Sequence, residues 1–123
     1  VDAKTTPSST VLPPSGNYCQ VTLTKPNDSL IVKSSFDAVW TVKNISGTDW
    51  TSDSFDYMYI SGTEMHEKAI YDFAQTVKDG ESIEIIVDIL APTTPGIYNT
   101  KWAIVAGSEA LCILVVSVTV EPE

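Results

Sequence analysis

Two tryptophans, Trp40 and Trp102, each stand in the middle of a run where apolar and polar residues alternate. The first run reads Phe36-Asp-Ala38-Val-Trp40-Thr-Val42-Lys-Asn44, and the second Ile97-Tyr98-Asn-Thr100-Lys-Trp102-Ala-Ile104. A period of two puts alternate side chains on opposite faces of a strand, so each indole lies on a face that needs a core. Two such strands with facing indoles imply two sheets packed together. The chain is predicted to be an all-β sandwich of two antiparallel sheets with about seven to nine strands.

Further strand signals follow at short intervals: residues 18–24, 30–33 after the Pro26-Asn27-Asp28 turn, 55–61 ending at Gly62, and 83–89. In the last of these Ile83, Ile85, Val87 and Ile89 share one face. Residues 69–73 read as a short edge strand, or as part of a helical turn over 64–74. Ser46-Gly47-Thr48-Asp49, Lys78-Asp79-Gly80-Glu81 and Ala91-Pro92-Thr-Thr-Pro95-Gly96 carry turn chemistry, and a final strand runs to Val120. This even spacing favours a sandwich over a βαβ arrangement. The predicted core joins Trp40 and Trp102 with Phe36, Val42, Ile83, Ile85, Val87, Tyr98 and Ile104.

Of 123 residues, 43% are hydrophobic, enough for one domain with a real core. The apolar stretch Ala110-Leu-Cys112-Ile-Leu-Val-Val116 is far shorter than the roughly 20 residues a membrane-spanning helix needs, so no membrane insertion is expected. A net charge of −9 argues against nucleic acid and anionic membranes as partners, since both require clustered Lys and Arg. The chain begins at Val1 rather than Met, which reads as a processed or excised piece. Residues 1–17, rich in Pro, Ser and Thr, read as an extended linker or a disordered chain end, with the folded domain at 18–121.

Cys19 shares parity with Val21 and Leu23, and Cys112 with Leu114, Val116 and Val118, so both point to the core. First and last strands often run side by side in sandwiches, which makes a disulfide between them reasonable. It would close a loop of 112 − 19 = 93 residues, worth about 4–5 kcal/mol in the chain-entropy model. Two buried free thiols are the alternative. A bridge would place the chain in an oxidising, exported location.

No catalytic, cofactor-binding or metal site is expected. His66, the one histidine, lies in Glu64-Met-His66-Glu67 without partners at ligand spacing and reads as an exposed loop residue. Asp49, Asp53 and Asp56 lack the spacing of a calcium loop and read as a solvated acidic segment. Ser108 has no nucleophile-elbow sequence around it. Trp50, Tyr57, Tyr59, Tyr71 and Phe73 could form a sugar-stacking platform, but alternation gives Tyr57 and Tyr59 core roles and core is the favoured reading; Trp50, which follows a loop, is the most ambiguous of the three tryptophans.

The spacing Phe36-x3-Trp40-x-Val42-Lys-Asn44-x2-Gly47-Thr-x-Trp50, then Ser61-Gly62, Asp79-Gly80-Glu81 and Ala91-Pro92-x2-Pro95-Gly96-x-Tyr98-x3-Trp102 resembles the four-tryptophan (FW) Ig-like domain. That family is named from the next-to-BRCA-one autophagy receptors, and its bacterial relatives occur in exported or multidomain proteins. The resemblance covers residues 18–120 and implies an immunoglobulin-like sandwich with a protein-binding, scaffolding or spacing role and no enzyme activity. An accessory carbohydrate-binding domain of a cell-surface enzyme is the other reading. This chain departs from the family near Val115, where a fourth Trp is expected.

Face parity supplies a candidate interaction surface. With Tyr57, Tyr59, Trp102, Ile104, Val116 and Val118 inward, Met58, Ile60, Ala103, Val105, Ile113 and Val115 point outward. In an Ig-like topology these strands share one sheet, so the outward residues should merge into an apolar patch suited to a protein partner or a homodimer.

Overall fold

Alternating sequence becomes eight strands, with no helix among the described residues, 18–123 of a computed structural model. They are β1 (Cys19–Lys25), β2 (Leu30–Ile31), β3 (Ser35–Asn44), β4 (Phe55–Gly62), β5 (Ile70–Asp72), β6 (Ser82–Leu90), β7 (Gly96–Ala106) and β8 (Glu109–Glu121). One sheet has the order β1-β3-β6 and the other β2-β8-β7-β4-β5. All pairings are antiparallel except β2 with β8. The fold is the predicted all-β, Ig-like sandwich. The expected linker at 1–17 lies outside the described residues.

Trp40 on β3 and Trp102 on β7 come from opposite sheets, and both are fully buried. Val42, Ile85 and Val87 from one sheet meet Ile104, Leu114, Val116 and Val118 from the other in a single core. Phe36, Ile83 and Tyr98 are packed against this core but only half-buried. A buried indole N–H usually finds an acceptor. Trp40 finds one across the sandwich, donating from Nε1 to the Val115 carbonyl of β8 at 3.1 Å.

Cys19 and Cys112 form a disulfide with Cα atoms 6.0 Å apart. The first and last strands do not pair in one sheet, however, although β1 lies close to β8 at the edge of the sandwich. β1 pairs with β3, and the place beside β8 is taken at its end by β2, where Leu30 pairs with Val120 and Ile31 with Glu121. The bridge therefore ties one sheet to the other. Parity correctly reports that both sulfurs face the core, but it carries no information on which sheet each strand joins.

Two irregularities shape the larger sheet. In β4 the register with β7 slips between Tyr59 and Ser61, leaving Ile60 as an extra residue. Gly62 follows with φ +95, and a Cβ there would lie 2.5 Å from the Asn99 carbonyl oxygen, so only glycine fits. In β8 Leu111 is the extra residue, since Cys112 pairs with Ile104 and Ala110 with Val105.

Candidate functional site

At one end of the sandwich, the motif residues of the 44–50 and 77–81 loops serve each other. Asn44 is fully buried at the end of β3. Its Nδ2 donates to the carbonyls of Thr48 at 2.8 Å and Val77 at 3.0 Å. Its Oδ1 accepts from the Ser46 amide at 3.0 Å and the Ser46 hydroxyl at 2.7 Å. Gly47, at φ +88, donates its N–H to Asp79 Oδ1 at 2.9 Å, and Gly80 donates its N–H to the Asn44 carbonyl at 2.7 Å. Trp50 closes this end: its backbone exchanges two hydrogen bonds with Val77, and its indole donates to Ser46 Oγ at 3.2 Å. At the opposite turn the Tyr98 hydroxyl donates to the Thr94 carbonyl at 2.6 Å, pinning the segment from Pro92 to Gly96 that leads into β7. These residues are framework.

On the outer side of the five-stranded sheet, register aligns Ile70, Met58, Ala103 and Ile113 in one row across β5, β4, β7 and β8. Met58, Ile60 and Ile113 pack over Ala103, Val105 and Ala110 in a second apolar cluster, separate from the core. Ala103 and Val105 face outward but are only 0% and 4% exposed. They belong to the central strand, and the longer side chains on the strands to either side close over them. Val115 stands outside the cluster with half its surface exposed, as does Ile70 in β5. Val115, near which the resemblance expects a fourth tryptophan, lies on this outer face rather than in the core. The surface is thus a sealed apolar strip, fringed by Ile70 and Val115. Ala110 was not legible as part of it, because Ala110-Leu-Cys112 is uniformly apolar and hides the bulge.

The aromatic residues do not form an open platform. Trp50 and Phe73 are buried and pack with Phe55. Tyr57 and Tyr71 stack on each other at 4.9 Å, nearly parallel. Burial first, then neighbouring Tyr71 and Asp88, push the Tyr57 pKa up to about 12, against a smaller lowering by the Ile86 backbone.

His66 is not an exposed loop residue. It bridges to Ile89 of β6, with its ring 4.5 Å from that of Tyr59 and 5.2 Å from that of Trp102. Burial lowers its pKa from 6.5, opposed by Glu64. The residues around it, 63–69, have no period from which this packing could be read.

The acidic residues of the 49–56 segment do not converge. Asp49 accepts the Asp79 amide at 3.2 Å, whereas Asp56 on β4 lies opposite Asp72 on β5. Burial, then the hydrogen bond and charge of Asp72, raise the Asp56 carboxyl above its ordinary value. Among the described residues no three His, Cys, Asp or Glu side chains could hold a metal ion.

The structure resembles solved Ig-like domains. The crystal structure of the CARDB domain of the PF1109 protein from Pyrococcus furiosus, in complex with di-metal ions, is 16% identical with a TM-score of 0.58, covering 89% of this chain and 99% of that one. The solution structure of the same CARDB domain gives 17% identity and a TM-score of 0.55, over 83% of this chain and 93% of that one. At these identities the likeness is one of fold. Comparison with curated proteins by sequence returned no match. The sequence model of the family described as "Ig-like domain from next to BRCA1 gene" matches residues 23–120. The chain belongs to that family of Ig-like domains.

Proposed function

We infer that this chain is a non-catalytic protein-contact and spacing module of an exported bacterial protein, and that it works through the outer side of its five-stranded sheet. The observation that carries this reading is the row Ile70–Met58–Ala103–Ile113 with Val115 beside it. Ala103 is covered by its neighbours, and what meets solvent here is exposed Ile70 and Val115 with half-buried Met58 and Ile113, apolar surface that a partner would cover. The Cys19–Cys112 bridge supports export, since disulfides persist in oxidising compartments. The family supports a binding rather than a catalytic role. The sugar-binding alternative loses its platform with Trp50 and Phe73 in the core.

A photo-crosslinking residue placed at Val115 in the parent protein should yield a discrete protein adduct, and Ile70→Lys, at an exposed position of the same surface, should abolish it. The same crosslinker at Glu84, exposed on the outer side of the three-stranded sheet, should yield none. Equal adducts at both positions, or an adduct indifferent to Ile70→Lys, would overturn the assignment.

A further inference from the structure

Like charges set directly opposite each other on neighbouring strands repel, and a sheet carries such a pair at a cost to its stability. On the outer side of the five-stranded sheet, Asp56 of β4 lies in register with Asp72 of β5, and Val105 of β7 continues their row. Burial, then the hydrogen bond and charge of Asp72, raise the Asp56 carboxyl above its ordinary value. The next row along the sheet is the apolar one, Ile70–Met58–Ala103–Ile113.

Among the described residues no lysine is paired with Asp56 or Asp72. Within the strands of this sheet the one basic residue is Lys101 of β7, in register with Ser61 and Val115. It stands two rows beyond Val105, roughly 13 Å along the strand. Lys68, just before β5, sets its ammonium over the Tyr71 ring, 5.0 Å from the centroid. Lys25 and Lys43 belong to the other sheet. The outer face therefore runs from an uncompensated acidic pair, through apolar residues, to a single lysine.

We propose that the acidic pair and the apolar row beside it receive one partner segment, an extended peptide with a basic side chain two residues from an apolar one. This inference rests on the outer-face reading and adds the partner's chemistry to it. Rows along a strand lie about 7 Å apart, which is also the spacing of side chains i and i+2 in an extended peptide. One segment lying along β4 therefore reaches both rows. A basic side chain set on Asp56 and Asp72 offsets their repulsion, while its apolar neighbour covers Met58 and exposed Ile70. A net charge of −9 draws a basic partner to the domain, and opposes a second copy of the chain.

The probe is a blocked peptide, Gly-Arg-Ser-Val-Ser-Gly, titrated into the full chain at low ionic strength and followed by NMR. The methyl signals of Met58, Ile70 and Val105 should shift together and saturate. Asp56→Asn combined with Asp72→Asn should weaken binding about fivefold, the scale of exposed charge pairs. That change relieves a repulsion, so the variant should unfold no earlier in urea than the wild type. Asp37→Asn with Asp88→Asn, opposite each other in the three-stranded sheet, removes the same charge elsewhere and should alter affinity by less than about twofold. A peptide with glutamate in place of arginine should not bind. Equal binding by a peptide with norleucine in place of arginine would overturn the basic partner and leave the apolar face standing. An arginine peptide that binds elsewhere, does not bind, or ignores the Asp56 and Asp72 changes would also overturn the proposal. In the parent protein, a Val115 adduct that survives the double asparagine change would do so too, while upholding the outer-face reading.

Discussion

Asn44 is surrounded by core residues, yet every hydrogen-bonding position of its amide is used: two carbonyls accept from it, and two groups of Ser46 donate to it. Buried polar groups are tolerated on this condition, and removing one partner strands the others. Asn44→Ala would leave the Val77 carbonyl without that donor and the Ser46 amide without its acceptor. It should lower stability by about 3 kcal/mol or more, as measured by urea unfolding. Thr41→Ala, a half-buried residue on the outer side of the same strand, should cost well under half as much. Equal losses would show that Asn44 acts only through packing. A turn at Asn44 and Gly47 was readable from residue chemistry, but the depth of Asn44 was not, because a turn-forming residue gives no sign of which loop will fold back over it.

At the scale of elements, alternation and turn chemistry located seven strands and left 69–73 open between a strand and a helical turn, where the structure has β5, and parity placed both cysteines towards the core. Sheet membership stayed hidden. The pairing of β2 with the end of β8 is set by two residues, too few to leave a pattern, and it moves β1 into the other sheet. The Cys19–Cys112 bridge consequently holds an edge strand on which Val21 and Leu23 are still partly exposed. Replacing both cysteines with serine should reduce stability by about 4–5 kcal/mol, the loop-closure value for this separation. Amide exchange should accelerate in β1 more than in β3 or β7. A double variant as stable as the wild type would show that β3 alone holds β1 in place.

For the whole molecule, the sandwich is fastened across its two sheets by the Trp40 indole and the disulfide, both of which end on β8. That strand lines the core with Leu114, Val116 and Val118, and contributes Ile113 to the outer apolar strip. The strip itself was legible only as a set of outward positions. Parity tells which face a side chain takes, and not that Met58 and Ile113 would close over an alanine between them. Trp40 and Trp102 make the architecture directly observable, because their indole N–H groups give separate NMR signals. The Trp40 N–H should exchange slowly and show nuclear Overhauser contacts to backbone protons of β8 around Val115. The Trp102 N–H is buried with no acceptor among the described residues, and should lack such contacts. A Trp40 signal that exchanges freely, or shows no contact with β8, would contradict the two-sheet packing on which the rest depends.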